Sequence, residues 1–237
     1  MATFVLVHGA WAGAHGFRHV RRRLQGAGHE AFTPSLTGIG ERVHLTSPQV
    51  GLGTHVQDVV NQVLYEDLDA IVLLGFSYGG LVVTASLEHI AERVRHLVYL
   101  DAFLPGDGDS LASLAGHPEP RAIAIGDEWL VPPVPRAYDD EDEAAFMVPR
   151  RVSHPAACFS EPVRLARPLE EYPFARTYIR AAADAPGAPA AAAFDAAARH
   201  ARSSDAWNYR EIATNHMVAS NRPAELSELL VALAQGA

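Results

Sequence analysis

The stretch Gly75-Phe76-Ser77-Tyr78-Gly79 constrains the fold of this chain more than any other feature of its sequence. An apolar run over residues 70–74 precedes it and predicts a buried strand, and a helix-compatible run over residues 81–90 follows it. The pattern G-x-S-x-G between a strand and a helix is typical of a serine on a sharp, strained turn, where side chains at positions 75 and 79 would collide with the neighbouring strand and helix. We therefore expect Ser77 to project above a sheet as a nucleophile, at a helix N-terminus that favours a developing negative charge.

Apolar runs elsewhere in the chain extend this unit into a larger sheet. Further strands are predicted at residues 3–7, 30–33, 96–100, 174–179 and 207–212, and helices at 17–24, 55–64, 190–201 and 223–234. Strands that alternate with helices are the signature of a parallel sheet with right-handed crossovers. The predicted fold class is therefore α/β, with a mostly parallel, doubly wound sheet of about six strands, and residues 1–237 are expected to form a single domain.

The segment 106–168 departs from this alternation. Prolines recur in it, an acidic run occupies residues 139–143, and no repeating strand–helix unit is visible. We interpret it as an inserted lid over the strand ends, called the lid segment below. Its large side chains either line a pocket or only hold the lid together: they are Trp129, Tyr138, Phe146, Met147 and Phe159.

The composition narrows the classes of partner and chemistry. The formal charge is −9, from 28 acidic and 19 basic residues, which argues against nucleic acid or an anionic membrane surface as the main partner. Every basic residue is arginine, so a catalytic lysine, a Schiff base and a P-loop lysine are excluded. No apolar run approaches the length of a membrane span. We expect a small-molecule substrate, and the sequence leaves room for a homodimer.

The expected compartment follows from the cysteine count and the N-terminus. The single cysteine, Cys158, cannot form an internal disulfide, and its neighbours favour a packed side chain over a nucleophile. Residues 1–8 already resemble a core strand, so no signal peptide is expected and a cytoplasmic location is the prediction.

No cofactor or metal is predicted. Gly38 and Gly40 are spaced as in a dinucleotide-binding loop, but the third glycine is missing and no helix opens there. A mobile loop over the site accounts better for this stretch.

An activated serine needs a general base and an acid that orients it, and in sheets of this type they follow the serine in the order acid, then histidine. His216 lies after the last predicted strand and before the closing helix, so it is the predicted base. Two aspartates compete for the acid: Asp184 follows the preceding strand, and Asp101 ends the strand after the nucleophile helix. The order of elements favours Asp184. The predicted oxyanion donors are the backbone N–H groups of Tyr78 and Ala10.

Motifs spread over the whole chain resemble a known family. They are residues 5–11 (Val-Leu-Val-His-Gly-Ala-Trp), the turn 75–80, residues 99–105 (Tyr-Leu-Asp-Ala-Phe-Leu-Pro), Tyr178 with Asp184, and residues 215–217 (Asn-His-Met). Together they resemble the α/β-hydrolases related to plant methyl esterases and hydroxynitrile lyases. The loop 38–45 is similar to that of bacterial carboxylesterases of the pyrethroid-hydrolase type. The resemblance implies the α/β-hydrolase fold, a triad of Ser77, Asp184 and His216, and oxyanion donors at Ala10 and Tyr78.

Three positions refine the resemblance. The lyases carry a threonine after the first-strand histidine and a lysine after the catalytic histidine, whereas this chain has Gly9 and Met217, as the esterases do. Without that lysine no cation stabilises a departing cyanide. Phe76 stands where the family usually has histidine, a change expected to alter the pocket floor but not the triad.

The function expected is serine-dependent hydrolysis of a small to medium, hydrophobic and uncharged carboxylic ester. Two alternatives remain open. One is a lyase, a cyclase or an enzyme that cleaves C–C bonds at the same site, and the other is a ligand-binding receptor on the same fold.

Overall fold

A six-stranded sheet forms the centre of the computed structural model, which describes residues 1–116, 129–184, 188 and 190–236. The strands are β1 (Thr3–Val7), β2 (Glu30–Phe32), β3 (Ile71–Phe76), β4 (Val94–Leu100), β5 (Ala175–Ala181) and β6 (Asn208–Ile212). Their order is β2-β1-β3-β4-β5-β6, and every neighbouring pair is parallel. The predicted α/β fold class with a parallel, doubly wound sheet is confirmed.

Helices cover both faces of the sheet because its strands are apolar on both faces. In β1, Val5 and Val7 face one apolar core while Phe4 and Leu6 face the other, as the period of two along a strand requires. The five longer helices are α1 (Arg18–Gly26), α2 (Leu52–Tyr65), α3 (Gly79–Ile90), α4 (Ala191–Ser203) and α5 (Pro223–Gly236). Helices α1 and α5 contribute to one core, and α2, α3 and α4 contribute to the other.

Shorter elements connect these layers. They are the 3-10 helices Ala14–Phe17, Gly40–Leu45, Ala91–Arg93, Val148–Arg150 and Leu169–Glu171, the α-helices Leu111–Leu114, Glu141–Met147, Ala157–Ser160 and Val218–Asn221, and an antiparallel pair of short strands, Leu130–Val131 and His154–Pro155. The described part of the lid segment adds no strand to the central sheet. None of the helices described is long and apolar enough to span a bilayer.

The lid segment is fastened to loops at the carboxyl edge of the sheet. The Trp11 indole donates a hydrogen bond to the Val131 carbonyl at 2.9 Å, and the Val152 amide donates to the Trp11 carbonyl at 2.9 Å. On the opposite side, the Asn215 side-chain amide donates to the Ala137 carbonyl at 3.2 Å. These bonds place the lid segment beside the loop after β1 and the loop after β6.

Candidate active site

The carboxyl ends of four adjacent strands bring the candidate catalytic side chains to one edge of the sheet. Ser77 follows β3, Asp101 follows β4, Asp184 lies three residues beyond β5, and His216 lies four residues beyond β6. In a parallel sheet these ends coincide, and ligands bind outside them. The order of elements in the sequence is thus sufficient to explain why the four residues meet.

The turn after β3 has the strained geometry that its sequence predicts. Ser77 has a φ of 55°, in the left-handed region that residues other than glycine rarely adopt. A Cβ on Gly79 would lie 2.7 Å from the Val7 carbonyl oxygen, and one on Gly75 would lie 2.6 Å from the Gly79 oxygen. Because backbone atoms cannot move away cheaply, only glycine fits at these two positions. The turn therefore holds Ser77 rigidly against α3.

His216 contacts the Ser77 hydroxyl directly. Its Nε2 lies 3.0 Å from Ser77 Oγ, within hydrogen-bond distance. The imidazole is stacked on Phe194, with ring centroids 5.0 Å apart, and its other neighbour is Phe76, at 4.7 Å. Phe76, expected from the sequence to alter the pocket floor, packs against the His216 ring. Burial between these rings lowers the pKa of His216, although the Asp101 carboxylate raises it in part.

Asp101, and not Asp184, contacts the His216 ring. Asp101 Oδ2 lies 2.6 Å from His216 Nδ1, whereas Asp184 Oδ1 accepts a hydrogen bond from the His216 backbone N–H at 2.9 Å. The sequence analysis favoured Asp184 for the ring contact, and the geometry corrects this. Asp184 lies three residues past its strand and its carboxylate is held by the backbone of the His216 loop, while Asp101 follows β4 directly and reaches the ring.

Arg180 is the residue that sequence reasoning missed at this site. It lies within β5, and its guanidinium donates to Asp101 Oδ1, which also accepts from the Ala181 N–H at 3.1 Å. Arg180 also pairs with Asp195 at 2.9 Å and approaches Asp184 at 3.5 Å. Asp101 is fully buried and has partners on both oxygens, as a buried charge requires. An arginine inside a predicted apolar strand was the available signal, since it needs a buried carboxylate nearby.

The neutral tautomer of His216 follows from its partners. An ionised carboxylate only accepts hydrogen bonds, so Nδ1 carries the proton that is donated to Asp101. Nε2 is then an unprotonated acceptor facing the Ser77 hydroxyl. This is the arrangement in which an imidazole removes a proton from serine.

The loop after β1 passes close to the serine. A Cβ on Gly9 would lie 2.9 Å from Ser77 Cβ, so a glycine is needed here. Among the described residues, no carbonyl or side chain accepts a hydrogen bond from the backbone N–H of Ala10 or Tyr78. Both groups are therefore free to donate to a substrate oxygen, as their predicted role requires.

The Tyr78 side chain is anchored away from the serine by buried groups. Its hydroxyl lies 2.9 Å from His55 Nδ1, while His55 Nε2 lies 2.8 Å from the Thr37 carbonyl oxygen. Burial lowers the pKa of His55 to about 4 and raises the pKa of the neighbouring Cys158 thiol to about 12. Cys158 is fully buried, so it is a packed side chain and a poor nucleophile, in line with the sequence prediction.

Two groups of side chains in the described residues have ligand atoms close enough for a metal ion, within 4.8 Å of one another. They are His55 with His154 and Cys158, and Asp101 with Asp184 and His216. In the second group Arg180 already supplies the positive charge that the two carboxylates need. In the first, both His55 nitrogens have hydrogen-bond partners.

The lid side chains differ in how near they come to this site. Phe159 packs edge-on against Tyr78 at 5.7 Å and Trp11 at 5.6 Å, so it lies beside the serine turn. Phe146 instead carries the Arg18 and Arg150 guanidinium groups on its ring, and Met147 contacts Arg18. Phe146 thus packs against α1 through Arg18 and against the lid's own Arg150, so its contacts are structural.

Comparison with known proteins gives a family match and a similar curated protein. Residues 4–229 match the model of a family described as the alpha/beta hydrolase family. The chain is 49% identical over 129 residues to a carbendazim hydrolyzing esterase of Nocardioides sp. (strain SG-4G), covering 53% of each chain. It spans about half the length of the curated relatives it matches, or less.

Two solved structures match along nearly the whole chain. A methylesterase of Arabidopsis superposes with a TM-score of 0.80 and 20% identity over 100% of both chains. A pyrethroid hydrolase from Sphingobium faniae JZ-2 superposes with a TM-score of 0.74 and 20% identity, covering 99% of this chain and 97% of the other. At this level of identity the likeness is one of fold.

Proposed function

The chain belongs to the alpha/beta hydrolase family, as its motifs predict, and from this premise we propose that it is a serine-dependent hydrolase of carboxylic esters. One observation carries the proposal: an unbroken chain of hydrogen bonds from Ser77 through His216 to the buried Asp101, at 3.0 and 2.6 Å. A serine, a base and an orienting acid in this arrangement are the components of acyl transfer. The 49% identity to a carbendazim hydrolyzing esterase supports the same reaction class.

In the proposed mechanism Ser77 Oγ attacks the ester carbonyl while its proton moves to His216 Nε2. Asp101 holds the imidazole in the required tautomer and stabilises the imidazolium that forms. Arg180 and the Ala181 N–H keep the Asp101 carboxylate in place. Ser77 is largely buried, with 7% of its surface exposed.

The negative charge on the carbonyl oxygen is stabilised by the free N–H groups of Ala10 and Tyr78. Tyr78 stands at the N-terminus of α3, whose dipole acts in the same direction. Collapse of the intermediate releases the alcohol, which takes its proton from His216. A water activated by His216 then attacks the acyl-enzyme and releases the acid. Neither half-reaction calls for a metal or an organic cofactor.

The substrate proposed is a small to medium ester with a hydrophobic body. Trp11 and Phe159, which are partly exposed and pack against each other beside the serine turn, suit such a group. Carbendazim, which the Nocardioides relative is named for, is one compound to assay.

The lyase alternative is not supported by the site. The position after His216 holds Met217, which is 6% exposed and uncharged, where a lyase of this family would need a lysine. The receptor alternative does not account for the hydrogen bonds that join Ser77, His216 and Asp101, because ligand binding alone does not require them.

A covalent probe tests the proposal most directly. We expect a fluorophosphonate to label the protein at one equivalent per chain, with the adduct mapped by peptide mass spectrometry to Ser77, and to abolish hydrolysis of p-nitrophenyl acetate in proportion to labelling. A preparation that hydrolyses no ester, or that is labelled at another residue while Ser77 stays free, would contradict it.

The pH dependence of kcat/KM should follow the pKa of His216. The base acts only when neutral, and burial between Phe76 and Phe194 lowers the pKa below the ordinary value of 6.5. Activity should therefore persist below pH 6.5 and fall only when the pH drops through the lowered pKa. Steady-state kinetics from pH 4.5 to 8 check this; an acid limb centred above pH 6.5 would contradict it.

A further inference from the structure

Two arginines of the lid segment lie near the loops after β1 and β6, and neither forms an ion pair in the described part of the chain. They are Arg136 and Arg151, and both are half-buried. Arginine is rarely taken out of water without a carboxylate partner, because desolvating its charge is costly. Their position therefore calls for an explanation.

Hydrogen bonds fix the backbone around Arg136 against the catalytic histidine loop. The carbonyl of the next residue, Ala137, accepts from Asn215, which precedes His216. Two residues further on, the Asp139 N–H donates to Asn221 at 3.1 Å. Consistent with this placement, the charge of Arg136 helps to lower the pKa of His216, and Asp101 and Asp184 are among the groups that act on Arg136.

Arg151 approaches from the side of the β1 loop. Its guanidinium carbon lies 6.0 Å from the centre of the Trp11 ring, and one guanidinium nitrogen donates to the Val134 carbonyl at 2.8 Å. That bond ties Arg151 to the same strip of lid that carries Arg136. The two positive charges repel each other, and this repulsion, after burial, lowers the pKa of Arg136.

A third polar group accompanies the two arginines. The Tyr138 hydroxyl is buried and lacks a hydrogen bond of good geometry among the described residues, and the Arg151 guanidinium is near enough to oppose in part the rise that burial causes in the pKa of Tyr138. Buried hydroxyls nearly always have a partner, and an exception marks a place where a ligand or water belongs. The guanidinium groups of Arg136 and Arg151 and the Tyr138 hydroxyl are donors that match the oxygens of a carboxylate.

We propose that Arg136, Arg151 and Tyr138 bind an ionised carboxyl group of the substrate, so that the preferred substrates are esters that carry a free carboxylate. The proposal rests on the esterase function proposed above and names its substrate class. It departs from the uncharged ester expected from the sequence, because that expectation considered the lid's aromatic residues and not its arginines.

The excess of negative charge near the site suggests a different role for Arg136, which is to balance that charge without contacting the substrate. Asp101, Asp184 and Asp195 carry three negative charges, and Arg180 is the positive charge paired with all three. Arg136 could serve only to balance them. In that case its loss would change the turnover of every ester to the same extent, whereas loss of a carboxylate contact changes the ratio between charged and neutral esters.

Matched ester pairs separate the two roles. The first pair is 4-carboxyphenyl acetate and 4-carbamoylphenyl acetate, which place the charge on the alcohol side. The second is mono-p-nitrophenyl adipate and p-nitrophenyl 5-carbamoylpentanoate, which place it on the acyl side. In at least one pair, we expect kcat/KM for the ester that carries the carboxylate to exceed kcat/KM for the carbamoyl ester by about tenfold or more. The difference should arise mainly from a lower KM.

The variants Arg136→Gln and Arg151→Gln should each reduce that ratio by about tenfold, since each removes a charge-assisted hydrogen bond. Arg136→Lys should restore part of it because it keeps the charge. Arg150→Gln is the matched control, since Arg150 is an exposed lid arginine bound to Phe146, and it should leave the ratio unchanged. Circular dichroism and thermal unfolding check that each variant is folded.

A ratio near one in both pairs, or a ratio that neither glutamine variant changes, would overturn the proposal. An equal fall for charged and neutral esters in Arg136→Gln would assign Arg136 to charge balance and would overturn it as well. The failure of this proposal can be told apart from failure of the esterase function. If the ester bond of the two carbamoyl compounds is hydrolysed and this activity is lost on fluorophosphonate labelling of Ser77, the esterase function stands even when the carboxylate site is refuted.

Discussion

Replacing Ser77 by alanine should reduce kcat for p-nitrophenyl acetate by roughly a factor of 10⁵ to 10⁶, the scale at which loss of a serine nucleophile stops acyl transfer. The substitution removes the attacking oxygen and leaves the His216–Asp101 pair intact. Alanine adds no atom to the turn, so the strained backbone at φ 55° and the contacts of Gly75 and Gly79 remain. A small residual rate over water is expected from the oxyanion donors alone.

Ser86→Ala is the control for this experiment. Ser86 lies on α3 in the same apolar layer, is fully buried, and bonds only to the Val82 carbonyl at 2.8 Å. Its loss should affect stability by about 1 kcal/mol and leave kcat unchanged. If Ser77→Ala kept wild-type turnover, or if Ser86→Ala lost turnover to the same degree without unfolding, the nucleophile assignment would fail.

The fold could be predicted because its information is local. The central strands β1, β3 and β4 are mainly apolar runs, and α2 has apolar residues at helical spacing over several turns. The end of β3 illustrates this: the apolar run, the two glycines and the serine at φ 55° belong to one short stretch. The parallel order then follows from the alternation of elements, since a parallel connection needs a crossover.

The choice between Asp101 and Asp184 could not be made in this way. Both follow strands at the same edge of the sheet, and the sequence says only that each can reach the site. The decision depends on Arg180, whose side chain turns Asp101 into a paired, buried charge, and on the distance of each aspartate from its strand, since Asp101 follows Leu100 directly and Asp184 is the third residue after Ala181. Such contacts join residues far apart in the chain and leave no periodic signal.

The lid segment was the least predictable part, for a related reason. Its short helices and its two-residue strands are fixed by contacts to Trp11 and Asn215 and not by their own propensity. The roles of Phe146 and Phe159 therefore differ although their sequence contexts look alike. The break in the strand–helix alternation over residues 106–168 was visible in the sequence, but the position of each side chain in that segment was not. Residues 117–128 of the lid segment lie outside the described part of the chain.

Asp101→Asn should cost about 10³- to 10⁴-fold in kcat, through the tautomer of His216. Oδ1 of Asp101 accepts from Arg180 and from the Ala181 N–H, so these donors would hold the asparagine carbonyl in the same place. The asparagine NH₂ group would then face His216 Nδ1 and make it an acceptor. The ring proton moves to Nε2, and the imidazole can no longer take the proton of Ser77.

Asp184→Asn should be far milder, at about tenfold or less, because an amide oxygen still accepts from the His216 N–H. Each variant replaces one carboxylate oxygen of the wild-type protein by an amide nitrogen and removes one negative charge. Each is therefore a control for the other. Single-turnover kinetics with p-nitrophenyl acetate separate acylation from deacylation, and thermal unfolding checks that both variants are folded.

A larger fall in kcat for Asp184→Asn than for Asp101→Asn would mean that Asp184 orients the ring during turnover. Only the carboxylate that accepts the hydrogen bond from Nδ1 sets the tautomer of His216. The ratio of the fall in kcat for Asp101→Asn to that for Asp184→Asn therefore shows which of the two aspartates orients the ring.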